Sequence, residues 1–320
     1  MARSGTASGA PQSKGRDRPR VGVILGPTAV GKTEVALKLA QELQAQIVNA
    51  DSLQVYRELN IGTAKPTPAQ RRLVPHHLVD VVDPPEPYDA ARYSREARAA
   101  LTRLHSQGIP PLVVGGTGLY LKALFSGLFA EGAPQADVRN RLRRELHGLG
   151  LPPLYQRLLH LDQATAARLH PHDTYRILRA LEVIEATGRP VSAWFAAHAF
   201  KDCPYRVLKL GLILPREELY RRIEQRLENM LAAGWLEEVE ELLRRYPPDL
   251  KPLHALGYRH LIHFLQGRLT WDEALEYLQR DTRRYAKRQL TWFKADPEIE
   301  WFGPEQVPQM AARLREFFGG

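Results

Sequence analysis

The sequence predicts an α/β fold: a parallel sheet of the phosphate-loop NTPase type, carrying a helical insertion and helical C-terminal segments. Three observations predict it. The stretch GPTAVGKT (26–33) fits the pattern G-x-x-x-x-G-K-[ST] at every fixed position. The apolar run VGVIL (21–25) leads straight into it, and TEVALKLAQEL then repeats apolar residues at helical spacing through Val35, Leu39 and Leu43. Further strand-length apolar runs recur along the chain with helical segments between them, the pattern of βαβ units.

In chain order, residues 1–20 lack an apolar core and are rich in Gly, Ser, Pro and Arg. They read as a disordered basic tail, serving either solubility or RNA contact. The core follows over 21–127, with strands expected at IVNA (47–50), HLVDVV (77–82) and PPLVVGG (110–116). Between 128 and 203 strand-like runs give way to helical ones such as DVRNRLRREL and HPHDTYRILRALEVIEATG, which predicts a helical insertion. The core resumes over 204–320 with a strand at LKLGLIL (208–214), and the chain then reads as mostly helical to about 294.

Composition narrows the class. No run of about 18 apolar residues is present to span a bilayer. The single cysteine, Cys203, excludes an internal disulfide framework and a CxxC metal site, which makes the cytoplasm the expected compartment. None of the 11 histidines falls in an HxxxH or HExxH pattern, so zinc chemistry is not expected. With 45 Lys and Arg against 36 Asp and Glu, the formal charge is +9, which admits polyanions as partners.

Five groups of residues point to chemistry. In the loop, Gly26, Pro27, Thr28, Ala29, Val30 and Gly31 offer backbone groups to phosphate oxygens. Lys32 adds a cation, and Thr33 a hydroxyl for Mg²⁺ at the positive end of the next helix. This reads a diphosphate on any carrier and names no nucleotide. Asp51, just past the second strand, faces the crevice at the carboxyl edge of the sheet. It is a candidate base, or the cap of a helix beginning near Ser52, or a water-mediated Mg²⁺ contact. Thr117, after another strand, reaches the same edge or caps a helix. Arg222 and Arg226, one helical turn apart, form an anion clamp or a solvated face. The tract RDTRRYAKRQLTWFK (280–294) has six basic residues against one Asp, with Tyr285, Trp292 and Phe293 interleaved. That composition suits splayed RNA bases or a solvated helix.

Taken together, GPTAVGKT, NADSLQVYRELNIGTAKP, PHHLVDVVDP, LVVGGTGLYLKAL, RIEQR, LGYRH and AKRQLTWFK resemble, in order and spacing, the bacterial tRNA dimethylallyltransferase (tRNA isopentenyl transferase) family over about 21–302. The resemblance implies that the loop holds dimethylallyl diphosphate rather than a nucleotide. The product would be N6-(dimethylallyl)adenosine at position 37 of tRNAs reading codons that begin with U, with Mg²⁺ as cofactor. By match of motif, Asp51 resembles the general base, and Thr117 and Arg226 the diphosphate and transition-state contacts. Asp51, Ser52, Leu53 and Gln54 resemble the contact with the target base. Resembling segments that contact the tRNA anticodon stem-loop are Arg139; Arg176, Ile177, Leu178, Arg179 and Ala180; His254, Ala255, Leu256, Gly257, Tyr258 and Arg259; and Lys287, Arg288, Gln289, Leu290, Thr291, Trp292, Phe293 and Lys294. Val30 stands where the family often has a small residue. A monomer without a membrane partner is expected. Three rivals are an isopentenyl transferase acting on free nucleotides, which would not need the insertion; a small-metabolite kinase, which would need ATP; and a non-catalytic RNA-binding protein.

Overall fold

The computed structural model describes residues 18–127, 136–198 and 203–319; the tail over residues 1–17 lies outside them. They form two compact units. One comprises the residues up to Phe125 and those from Pro204 onward, and the other runs from Ser126 to Cys203.

The first unit is built on a six-stranded parallel sheet of β1 (Arg20–Leu25), β2 (Gln46–Asn49), β3 (His76–His77), β4 (Pro111–Gly115), β5 (Arg206–Leu212) and β6 (Ile299–Phe302), in the order β3-β2-β4-β1-β5-β6. Strand β1 is central because its apolar residues are covered on both sides; Val21, Val23, Ile24 and Leu25 are all buried. The chain crosses from β1 to β2 through α1 (Lys32–Glu42). After α2 (Pro68–Leu73) it returns to β4 through α3 (Ala90–Ser106). These two crossovers run in opposite directions across the sheet, so right-handed connections place α1 and α3 on opposite faces. Helix α4 (Gly118–Ser126) follows β4.

The second unit holds α5 (Ala136–Leu149), α6 (Leu151–Leu161), α7 (Gln163–Ala166), α8 (Thr174–Thr187) and α9 (Val191–His198). Its own core gathers Leu142, Leu154, Leu158, Ile177, Leu181 and Ile184. Among its described residues there is no strand.

Back in the first unit, α10 (Arg216–Ala232) leaves the end of β5. Then come α11 (Trp235–Arg245), α12 (Tyr258–Leu265), the 24-residue α13 (Trp271–Lys294) and, after β6, α14 (Val307–Gly319). Helix α13 starts on a capping box, with the Thr270 hydroxyl accepting from the Glu273 amide and the Glu273 carboxylate accepting from the Thr270 amide.

Two expectations need correcting. The run 77–82 is not a strand beyond His77, because Leu78 and Asp80 adopt left-handed backbone (φ +62° and +56°), which breaks the extended ladder. The break is stabilised by charge: Asp80 receives the Lys65 ammonium at 2.6 Å and the Arg71 guanidinium at 2.5 Å. Strand β6 was not expected, since the stretch after 294 showed no long apolar run.

The motif ELNIGTAKP is held by α11. The Glu238 carboxylate accepts from the amides of Asn60, Ile61 and Gly62 at 2.7–3.1 Å, and from the Tyr258 hydroxyl at 2.7 Å. Glu238→Ala should therefore lower the unfolding free energy by about 2–3 kcal/mol, the range for losing charge-assisted hydrogen bonds to half-buried amides. A lower urea midpoint at unchanged slope is the expected reading. A wild-type midpoint would show that the loop holds itself.

Candidate active site

The site follows from sheet register. Leu25 of β1 pairs with Gly115 of β4, and Val114 of β4 with Asn49 of β2, so three strands end level. The loops that leave them therefore emerge side by side at the carboxyl edge. The amide of Ala50 donates to the Val114 carbonyl (2.8 Å) and that of Thr117 to the Ala50 carbonyl (3.2 Å), which carries the register one step beyond the sheet.

The loop 26–31 turns on positive φ at Gly26 (+149°), Ala29 (+63°) and Gly31 (+103°). Gly31 caps α1 without a side-chain acceptor, which leaves the first amides of the helix pointing at the loop's concavity. The Val30 side chain is fully buried, so only its backbone faces a ligand. Lys32 folds back over the loop, its Nζ donating to the carbonyls of Gly26 (3.0 Å) and Pro27 (2.7 Å). Burial pulls its pKa down to about 7, the Arg226 charge acts in the same direction, and the Asp51 carboxylate opposes both.

The structure settles only the capping alternative for Asp51. Its Oδ1 accepts from the amides of Leu53 (2.9 Å) and Gln54 (3.4 Å), capping a turn over 52–55 rather than a helix. Its Oδ2 has no hydrogen-bond partner among the described residues, so one carboxylate both shapes the turn and keeps an open oxygen. The Thr117 hydroxyl does not cap α4; it accepts from the Ser52 amide at 3.1 Å and fixes the turn beside Asp51. The Gln54 amide nitrogen donates to the carbonyls of Thr63 and Ala64, and the residue lines the cavity beside Asp51.

Lys32, Asp51 and Gln54 line one cavity of about 470 Å³ with Thr28, Ala29, Gly31, Thr33, Glu34, Arg221, Arg222, Gln225, Arg226, Asn229, Tyr285 and Gln289, whereas Thr117 stands behind the Asp51 turn and does not line it. A smaller hollow of about 40 Å³ shares Lys32, Thr33, Asp51 and Gln54 and continues between Ala36, Ile47, Pro66 and Val114. Arg222 donates to Glu218 (2.8 Å) while its guanidinium lies over Gly31. Arg226 makes no hydrogen bond or ion pair with another described residue, and burial lowers its pKa although Asp51 acts to raise it. The cavity thus holds two buried cations, Lys32 and Arg226, short of counter-charge beside one half-free carboxylate, an arrangement for a polyanion next to a proton acceptor.

The Thr33 hydroxyl lines the cavity and makes no hydrogen bond to another described residue. Among the described residues no three His, Cys, Asp or Glu cluster as metal ligands. The chemistry fits Mg²⁺ carried mainly by diphosphate oxygens and water, with Thr33 as one protein oxygen.

Of the segments expected to meet tRNA, several residues are withdrawn from solvent. Ile177 and Ala180 belong to the core of the second unit. Gly257, Tyr258, Gln289 and Phe293 are buried in the first. These six are corrected to interior positions. Arg139 and Arg179 share Glu182, Arg176 pairs with Asp173, and Arg259 pairs with Asp281 at 2.6 Å. His254 is exposed and Leu178, Ala255, Leu256 and Leu290 are half-buried. The tract 280–294 divides in two. Arg280 and Arg284 pair with Asp281, and Arg283 with Glu224. Lys287, Arg288 and Lys294 are exposed and make no ion pair with another described residue, and Thr291 and Trp292 stand exposed beside them. Sequence reasoning missed Gln70, Arg221, Gln225 and Asn229 as cavity residues; the last three lie on the α10 face that the Arg222–Arg226 spacing already marked.

Fold and site together place a phosphate-binding loop, two buried cations and a carboxylate around one cavity at the carboxyl edge of a parallel sheet. The family model described as IPP transferase matches residues 54–296, and that described as isopentenyl transferase matches 19–74. The tRNA dimethylallyltransferase of Syntrophobacter fumaroxidans is 52% identical over 303 residues, covering 94% of this chain and 89% of that one. That of Geobacter sulfurreducens is 48% identical over 299 residues, covering 93% and 96%. Among solved structures, the full-length tRNA isopentenylpyrophosphate transferase of Bacillus halodurans superposes with a TM-score of 0.71 at 34% identity, covering 94% of this chain and 97% of its own. A eukaryotic dimethylallyltransferase acting on tRNA gives 0.79 at 28% identity, covering 93% and 77%. The chain belongs to the IPP transferase family.

The depressed Lys32 pKa has a measurable consequence. A polyanion such as diphosphate bound in the loop would hold the ammonium charged, so its contribution to affinity would be full below pH 7 and lost as pH rises from there toward the bound-state pKa. Calorimetry of diphosphate binding at pH 7, in buffers of different ionisation enthalpy, should show an uptake of about half a proton that Lys32→Arg abolishes. Equal uptake in both proteins would place the titrating group elsewhere.

Proposed function

We propose that the protein transfers the dimethylallyl group of dimethylallyl diphosphate to N6 of adenosine 37 in the anticodon loop of tRNAs reading codons that begin with U, with Mg²⁺ and in the cytoplasm. The observation that carries this reading is the Asp51 carboxylate, with one oxygen spent on its turn and the other open to a cavity lined by Lys32 and Arg226. Family membership and the names of the relatives support the same activity.

The adenine N6 lone pair is delocalised into the ring, so attack needs its proton removed as the new bond forms. Asp51 Oδ2 accepts that proton. N6 bonds to the allylic carbon, the carbon–oxygen bond to diphosphate breaks, and its electron pair leaves with the diphosphate. Lys32, Arg226 and the loop amides stabilise the growing negative charge, and Thr117 holds the Asp51 turn in place through Ser52. The Thr33 hydroxyl, together with diphosphate oxygens, would hold Mg²⁺, which would add to the neutralisation of the leaving group. The target base must leave its stack to arrive here, and the exposed cations of α13 offer its RNA an anchor.

Mass spectrometry of tRNA after incubation with dimethylallyl diphosphate and Mg²⁺ tests the whole reading; an unmodified adenosine 37 would overturn it. Asp51→Asn separates the two duties of the residue, because the amide oxygen still caps the turn but accepts no proton. Turnover should fall about 100-fold or more with tRNA affinity intact; near-normal turnover would leave Asp51 a turn cap only. Replacing both Lys287 and Arg288 by Ala should flatten the slope of log affinity for tRNA against log salt by about 1.5 and raise KM, with turnover restored at saturating tRNA. A wild-type slope would make that face merely solvated.

A further inference from the structure

One side chain on α13 does something that no phosphate contact or RNA contact accounts for. Gln289 is buried, and its Oε1 accepts from the backbone amide of Thr28 in the phosphate loop at 2.9 Å. Its Nε2 donates to the backbone carbonyl of Gly116 at 2.8 Å. Gly116 directly precedes Thr117, which holds Ser52 and so the Asp51 turn. A single amide therefore ties the two halves of the site, leaving-group side and base side, to one helix.

The sequence around it is shaped for this contact. A Cβ at Gly116 would lie 2.4 Å from Gln289 Nε2, and a Cβ at Gly118 would lie 2.4 Å from the Trp292 indole nitrogen. The second and fourth residues of GGTG are thus small because α13 approaches the β4–α4 turn closely, not because a phosphate does. On the other side of the same turns of helix stand Lys287, Arg288 and Lys294, exposed and without ion pairs among the described residues. Only a side chain with both an acceptor and a donor, at this length, makes both bonds. Glutamate keeps the acceptor and loses the donor, methionine keeps the length and loses both, and asparagine is one methylene short.

We infer that Gln289 is a positioning residue that couples the two substrates, so that RNA engaged on the outer face of α13 alters the phosphate loop's affinity for diphosphate. The loop's amide at Thr28 is held from α13 rather than from within the loop, so a shift of α13 moves both it and the Gly116 carbonyl. By linkage, diphosphate must change RNA affinity by the same factor. The inference rests on the transfer activity proposed above, and its test is built to fail separately from that proposal.

The probe is inorganic diphosphate with Mg²⁺, which occupies the leaving-group site and is not consumed. Its Kd is measured with and without a saturating anticodon stem-loop, in the wild type, Gln289→Met and Gln289→Glu. The wild type should show a coupling of about fivefold or more. In Gln289→Met the coupling should fall to about one; because the readout is the ratio of diphosphate Kd values with and without stem-loop, a uniform change in either affinity at this cavity-wall position leaves it unmoved. Gln289→Glu should keep part of the coupling, and it supplies the reading if the methionine variant fails to fold by circular dichroism. A wild type without coupling, or a well-folded Gln289→Met or Gln289→Glu that retains all of it, overturns the inference. Absence of prenyl transfer by the wild type would instead remove the functional reading beneath it.

Discussion

Three parallel strands that stop at the same height set the chemistry of this protein. Because β1, β2 and β4 end level, the phosphate loop, the Asp51 turn and the Thr117 turn start as neighbours, and short backbone bonds keep them so. A slip of one residue at β2 would turn the apolar side chains of Ile47 and Val48 to the opposite faces and carry Asp51 away with them. Everything else on this edge is secondary to that register: α10 brings arginines over the loop, and α13 closes the far wall.

The site keeps its charges unbalanced. Lys32 and Arg226 are desolvated beside one another with Asp51 as their main opposing charge, an arrangement that disfavours the charged forms of both cations. Away from the site the described arginines are mostly paired, often two or more to one carboxylate, as at Asp281 and Glu182. Arg221 and Arg222 at the cavity wall still share Glu218. For Lys32 and Arg226, by contrast, most of the neutralising charge must come with the ligand.

The core strands and the phosphate loop were legible because motif, period and order agreed. The limits were local. The run 77–82 is as apolar as a strand, and nothing in its composition announces the left-handed turns at Leu78 and Asp80, the second of which is held by Lys65 from the preceding loop and Arg71 from α2. In the site, motif likeness marked whole segments, whereas a helix turns its residues inward and outward in rotation. Thr282, Ala286, Gln289 and Phe293 are spaced four, three and four apart and all face the interior. That spacing was present in KRQLTWFK and its upstream neighbours. It would have separated buried Gln289 and Phe293 from exposed Lys287 and Arg288, as the same period separates buried Ile177 from exposed Arg176 in α8.

The placement of β1 has a consequence for how the chain is made. The central strand is among the first described segments to leave the ribosome, and β4 can cover one of its edges once residue 115 is synthesised. Its other edge pairs with β5, which lies beyond the entire 126–203 unit. During that interval a strand of buried apolar residues, with its backbone donors and acceptors unmet on one side, must wait while a second unit with its own core is produced. The long sequence separation of the β1–β5 pair makes closure of the sheet a late and slow event. The nascent chain is therefore most exposed to wrong strand pairing, and most in need of a chaperone's protection, between the appearance of β4 and that of β5.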